Sequence, residues 1–220
     1  MTSVPFIGTV NDPTFDSVLI RKKLYANIAV IDTLIVTFFN NPLLTAKGSI
    51  LTSDGTNNVA LTVGANGTHL EADSSTASGL VWRATEAFSV MKSGTQSIPS
   101  AVATQITGWT ATAAGGLASA NFNATTGVYT CARAGYYFFS GNVTYVNNAT
   151  GYRIAELQVN GTTVAQNLIG AYTGVNGTDC VVTVGVQLAI GDAVILNAEQ
   201  DSGGGLNVTG SARFSGAKFV

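Results

Sequence analysis

Charge is scarce in this sequence. Charged residues make up 10% of its 220 positions, against roughly 25% in ordinary soluble domains. Apolar residues reach 46%. A lone monomer of this kind has little to keep it in solution, so the composition points to surfaces covered by partner chains. The formal net charge of -2 leaves no electrostatic footprint for nucleic acid, and no nucleic-acid partner is expected. The one basic cluster, Arg21-Lys22-Lys23, precedes the apolar stretch IAVIDTLIVTFF at 28–39. That stretch is too short for a bilayer core of about 20 residues and holds Asp32 at its centre. No small-residue cleavage site follows a continuous apolar core, so no membrane or secretory role is expected of it.

Cysteine and histidine are rarer still. Cys131 and Cys180 are too few for a disulfide framework and read as buried free thiols, although they could pair across neighbouring strands. The single histidine, His69, lacks the second histidine or Cys/carboxylate cluster that a metal centre needs. It also lacks a serine or cysteine partner at a nucleophile motif, and reads as a surface turn residue. Helix signals are missing as well: no window of a dozen residues keeps a capped i, i+3, i+4, i+7 apolar stripe.

Strand signals are what the sequence has, separated by Gly, Asn, Asp and Thr clusters. They divide it into three parts. Residues 1–46 carry long β-branched and aromatic runs, VLI at 18–20 and LIVTFF at 34–39, with too few glycine turns to close a sheet alone. This part reads as an N-terminal anchor or intertwined trimeric stalk. Residues 47–84 hold a repeat: GSILTSDGT at 48–56 aligns with GTHLEADSS at 67–75. Gly48 then matches Gly67, Leu51 matches Leu70, Asp54 matches Asp73 and Leu61 matches Leu80. Each unit reads as strand, Asp-led turn and strand, and such units rely on stacking with neighbours. Residues 85–220 read as one compact β domain. VVTVGVQL at 181–188 sets Val182, Val184, Val186 and Leu188 on one face. Short strands with turns about every ten residues indicate a sandwich or jelly roll.

One segment of that domain is unusual. GYYFFSG at 135–141 sets four aromatics in a row. Successive strand residues face opposite ways, so Tyr136 and Phe138 share one face while Tyr137 and Phe139 share the other. Both faces need cover.

Taken in order, TGVYT (126–130), GYYFFSG (135–141), Leu157 with the Asn160-Gly161 hairpin, LAIGDAVIL (188–196) and FSG (214–216) resemble the globular head of complement component one, subcomponent q. That fold is shared with the tumour necrosis factors, and the match spans roughly residues 100–220. The resemblance implies a ten-stranded jelly roll that assembles as a tight homotrimer. Gly135, Tyr137 and Phe139 fall on the family's pattern, so Tyr137 and Phe139 would fill the core while Tyr136 and Phe138 face the threefold axis. Residues 48–82 are similar to a linker of tail-fibre and fibre-like proteins from phages and large DNA viruses, where it precedes a C-terminal head.

Chemistry is thinly represented. A glycosidase needs two carboxylates about 5–10 Å apart, for which Glu199 with Asp201, or Glu156 with Asp192, are the candidates. Asp192 also fits a turn, and no enzymatic activity is expected. Heads of the complement type often carry calcium near the trimer apex, and the loop AEQDSGGG at 198–205 offers Glu199, Gln200 and Asp201 as oxygen ligands. A plain glycine loop explains it equally, and no cofactor is expected. Asn-x-Thr occurs at Asn66, Asn123, Asn142, Asn148, Asn160, Asn176 and Asn207. These matter only in a glycosylating compartment, and Asn160-Gly161 and Asn176-Gly177 double as hairpin turns.

The expectation is an all-β chain with a C-terminal jelly-roll sandwich forming a homotrimer behind an extended N-terminal β stalk. Its role would be structural in a virion, as a fibre or spike. The N-terminal segment would meet other virion proteins, and the head a glycan or protein of the host surface. A capsid cement trimer, and a cellular complement-type binding protein or adhesin, are the alternatives.

Overall fold

The computed structural model describes residues 43–111, 115–172 and 177–219. The expected anchor therefore lies outside the described residues except at its last four positions, as does the turn residue Asn176. The chain divides between Arg83 and Ala84 into two compact units.

The first unit contains two hairpins. β1 (Ile50–Ser53) pairs antiparallel with β2 (Asn58–Leu61), Ile50 opposite Leu61. β3 (Thr68–Ala72) pairs with β4 (Leu80–Ala84). An aspartate opens the turn of each. Asp54 Oδ1 accepts the backbone N–H groups of Thr56 at 2.8 Å and Asn57 at 2.7 Å. Asp73 Oδ1 accepts the hydroxyl of Ser75 at 2.5 Å and its N–H at 3.0 Å. Asx turns of this kind favour the ionised form, and both carboxyls sit below their ordinary range because of these bonds. Trp82 fastens the hairpins together: its Nε1 donates to the Thr62 carbonyl at 2.8 Å. Its ring lies so near Gly64 that a Cβ there would fall 2.6 Å from Cγ. His69 belongs to β3 rather than to a turn, because Thr68 begins the strand and the turns fall on either side. Its Nε2 stands 3.8 Å from Glu71.

The second unit is a two-layer sandwich. Its strands are β5 (Ala87–Lys92), β6 (Gln96–Ile98), β7 (Thr104–Gln105), β8 (Trp109–Thr110), β9 (Phe122–Asn123), β10 (Val128–Thr130), β11 (Gly135–Tyr145), β12 (Tyr152–Val159), β13 (Thr162–Gly170), β14 (Thr178–Leu188), β15 (Ala193–Gln200), β16 (Leu206–Val208) and β17 (Arg213–Lys218). One sheet runs β13-β12-β15-β10-β9, with β7 also on β15. The other runs β6-β16-β11-β17-β5-β8, with β14 also on β11. These segments outnumber the ten strands that the resemblance implies. The surplus is short: β7, β8 and β9 hold two residues each. Among the described residues, the paired strands of this unit all run antiparallel, as a jelly roll requires.

Local sequence explains the main elements. β14 alternates because Cys180, Val182 and Leu188 face inward while Asp179, Val181 and Thr183 face out. β12 turns into β13 through Asn160 and Gly161, at φ 51° and 79°. Positive φ at both central residues defines a type I′ turn, which asparagine and glycine tolerate best. The core between the sheets is aromatic. Phe88 stacks on Phe122 with ring centroids 4.5 Å apart and meets Phe214 edge-on at 4.9 Å; Tyr129 meets Phe139 at 5.5 Å. Pairs in these geometries add about 0.5–1.5 kcal/mol each beyond their buried area.

β5 starts, and β17 ends, at the same end of the sandwich as the first residue of β11. We call this end the base and the other the apex. Among the described residues no helix is long and apolar enough to cross a membrane.

Candidate functional site

β11 presents its aromatics to two different environments. Tyr137 and Phe139 point between the sheets and are fully buried. Val182 and Leu188 are buried beside them, and Val184 and Val186 are half-buried against the same core. Tyr136 and Phe138 point outward and are 50% and 44% exposed. Their neighbours are small: Phe138 stands opposite Gly185 of β14 and Ala217 of β17. A Cβ at Gly185 would fall on the Tyr136 ring, 2.9 Å from Cζ. Phe219 extends the patch, its ring 6.2 Å from that of Tyr136. One row further along, Ser140 lies between Thr183 and Ser215, so hydroxyls rim the aromatic surface. The result is a flat apolar face of the kind that marks an association surface.

The base holds a buried ionic cluster. Glu86, 8% exposed, accepts from Tyr129 Oη and from Asn121 Nδ2 at 3.0 Å on one oxygen, and from Arg133 Nε at 3.0 Å on the other. Arg133 also donates to the Ala84 carbonyl at 3.2 Å. Burial alone would raise the Glu86 carboxyl. The hydrogen bonds from Tyr129 and Arg133, with the guanidinium charge, outweigh it and hold the carboxyl below its ordinary range. The Tyr129 hydroxyl is driven up, first by burial and then by its bond to Glu86. A depressed carboxyl stabilises the fold above its unfolded value, and that contribution is lost as pH falls through the folded value. Urea midpoints measured from pH 6 downward should therefore drop on the acid side in the natural protein. Glu86→Gln should start lower and flatten that limb, and equal limbs in both would refute the assignment.

The apex is held by Arg153, which is completely buried. Its Nη1 donates to the carbonyls of Tyr152 at 2.7 Å and Thr150 at 3.0 Å, and Nη2 to that of Asn148 at 2.8 Å. The guanidinium lies 5.7 Å from the Tyr145 ring centroid, within cation–π range. Burial lowers its affinity for the proton, while the charge of Asp201 acts the other way. Lys92 is a second buried cation, donating to the Ser93 carbonyl at 3.1 Å.

Gln200 is taken out of the candidate calcium set by its own bonds. Its Nε2 donates to the carbonyls of Ile98 and Gly204 at 2.9 and 2.7 Å, its Oε1 accepts from Ser202 N at 2.7 Å, and it has no exposed surface. Glu199 instead points outward and accepts from Tyr152 Oη at 2.7 Å. That bond, then burial and the charges of Glu199 and Asp201, raises the Tyr152 hydroxyl. Among the described residues no group of three His, Cys, Asp or Glu is gathered for a metal. Asp192 caps its own turn, accepting from Ala189 N at 2.7 Å and Asn160 Nδ2 at 2.8 Å. Glu156 stands opposite Asn197, five residues along from Asp192 and so about 16 Å away at strand rise, too far for a carboxylate pair. Cys131 and Cys180 are buried free thiols, and burial pushes the Cys180 thiol up.

Sequence reasoning missed Glu86, Lys92, Arg133 and Arg153. Arg153 and Lys92 left a signal: in YRIAELQV Arg153 takes the inward phase of Ala155 and Leu157, and in AFSVMK Lys92 takes that of Phe88 and Val90.

The second unit is thus an antiparallel jelly roll with a half-exposed aromatic face. A family model described as the C1q domain matches residues 87–217, and the chain belongs to that family. Such domains are generally binding modules rather than enzymes. Among solved structures, murine APRIL at pH 8.0 is similar at 13% identity and a TM-score of 0.47, covering 61% of this chain and 99% of that one. The Eiger TNF of S. frugiperda is similar at 14% identity and a TM-score of 0.47, covering 63% and 94%. The globular domain of zebrafish complement 1qA protein is similar at 20% identity and a TM-score of 0.41, covering 61% and 97%. No curated protein matches the chain.

Proposed function

We propose that this protein is a homotrimeric fibre or spike of a virion, whose jelly-roll head contacts the host surface. The observation that carries the reading is the outward pair Tyr136 and Phe138, half exposed beside Gly185 and Ala217. Two identical neighbours offer such a face the cover it lacks. Three heads in one trimer make weak contacts effective together. The virion role is supported by the hairpins ahead of the head. Asp54 and Asp73, which are 19 positions apart, open equivalent turns, in the stretch that is similar to viral fibre linkers. Residues 1–46 would join the trimer to other virion proteins. A cement trimer between capsid subunits would use the same head without a receptor.

Membership of the C1q domain family favours a second reading, a complement-type binding protein with no virion. Quantitative mass spectrometry of purified particles separates these. The fibre reading expects a few dozen copies per particle. Hundreds of copies would establish cement, and absence from particles would establish the cellular protein.

A further inference from the structure

The outer face of the sheet that carries Tyr136 and Phe138 changes character along its length. At the base it is aromatic, and in its middle Ser140, Thr183 and Ser215 put hydroxyls across it. Its charges come towards the apex. Among the described residues, Asp179 and Arg213 are the only charged ones on outward positions of β5, β6, β8, β11, β14, β16 and β17. One is an anion and the other a cation, and both are exposed. They flank β11 from opposite sides. Arg213 of β17 stands opposite Asn142, and Asp179 of β14 stands opposite Thr144, the next outward residue. Two strand spacings and a two-residue step put their Cα atoms about 12 Å apart. Neither enters an ion pair among the described residues. Thr144 donates to one Asp179 oxygen at 2.5 Å, which sets the carboxylate and leaves its second oxygen to a partner.

Threefold symmetry supplies that partner. Domains of this family form homotrimers, and the reading above sets Tyr136 and Phe138 at the axis. Both belong to β11, so that strand runs along the axis. Rotation about it conserves height and brings the β17 flank of one copy against the β14 flank of the next. Arg213 of one chain then meets Asp179 of its neighbour two residues apart in level, about 7 Å, a step that an arginine side chain spans. We infer that Arg213 and Asp179 pair between chains, once at each of the three interfaces, and fix the register of the trimer. The partner that fits is a second copy of this chain, because one cation and one anion on an otherwise uncharged face complement each other under that rotation. Association with the strands running opposite ways would lay the charged end over the aromatic end of the partner. Both charges would then be desolvated without an opposite, which is strongly unfavourable. The inference rests on the trimeric reading and names the contacts that orient it.

The full chain and its variants are diluted, in one fixed concentration of urea where the trimer would otherwise persist, and light scattering follows the mass. Asp179→Arg sets two cations at each interface, and Arg213→Asp two anions. Each should raise the concentration of half-dissociation about tenfold, with far-UV circular dichroism unchanged. The double swap Asp179→Arg/Arg213→Asp restores opposite charges and should return to within about threefold of the natural protein. Added salt should loosen the natural trimer by screening the pairs, and should not loosen the neutral variant Asp179→Asn/Arg213→Gln. That neutral variant carries the test if a swapped chain fails to fold. Single swaps that dissociate like the natural protein would overturn the inference. So would a double swap as weak as the two singles combined, or equal salt dependence in the natural and neutral chains. Any of these results in a trimeric natural protein sinks this inference alone, whereas a natural protein of single chains sinks the trimeric reading with it.

Discussion

Phe138→Asp is expected to shift the protein from a species of three times 22.5 kDa to single chains by light scattering, or to leave it insoluble. The side chain projects from the middle of an eleven-residue strand onto the outer face, so the fold itself loses no core contact. Burying one aromatic side chain is worth about 1.5–3 kcal/mol, and a threefold arrangement would bury three copies each of Phe138 and Tyr136. Phe138 is 44% exposed in one chain, so replacing three rings forfeits about 2–4 kcal/mol of further burial and sets three carboxylates close together at the axis. Few assemblies held by one face survive that loss. Far-UV circular dichroism of any soluble variant should keep the strand signal. A variant that remains trimeric would show that the aromatic face is not what joins the chains.

Phe139→Ala, one residue along, is expected to do the reverse. Its ring is fully buried and meets Phe88, Tyr129, Tyr137 and Phe214 at centroid distances of 5.5 to 6.3 Å. Removing a buried Phe costs about 3–5 kcal/mol, a fifth or more of the roughly 5–15 kcal/mol that holds a typical domain. The urea midpoint should fall steeply, and protein that remains folded should keep its assembly state. Gly216 makes the site unforgiving of enlargement too, since a Cβ there would stand 2.5 Å from the Phe139 ring. The two substitutions separate fold from assembly at adjacent positions. A loss of mass in Phe139→Ala without loss of stability would contradict the core assignment.

The faces of β11 follow from strand period alone, which is why four successive aromatics can be sorted by eye. The Asn160-Gly161 turn was equally legible, since both residues favour the positive φ that a two-residue hairpin demands. The all-β class could be read from the spacing of turn residues. The short segments at Trp109 and Phe122 could not. They sit in Ala-, Gly- and Thr-rich sequence, and rings distant in the chain cover them: Phe214 meets Trp109, and Phe88 and Phe214 meet Phe122. Gln200 misled for a related cause. Its type suggested a ligand, whereas its side chain is spent on the carbonyl of Ile98, 102 positions away, and on closing its own loop at Ser202 and Gly204. Glu86 was silent because its three donors, Asn121, Tyr129 and Arg133, lie 35 to 47 positions away. Long-range polar contacts leave no local pattern.

The clasp at Glu86 has a mechanical consequence. A pull transmitted along the chain from ahead of Ala84 reaches this side chain before any of the pairs between β5 and β17. β5 begins at the base, so the tension would peel it from β17 one pair at a time, beginning with Ala87 and Ala217. Unzipping of this kind yields at low force unless its first step is locked. The carboxylate of Glu86, gripped by a phenol, an amide and a guanidinium, is that lock, and acid would loosen it.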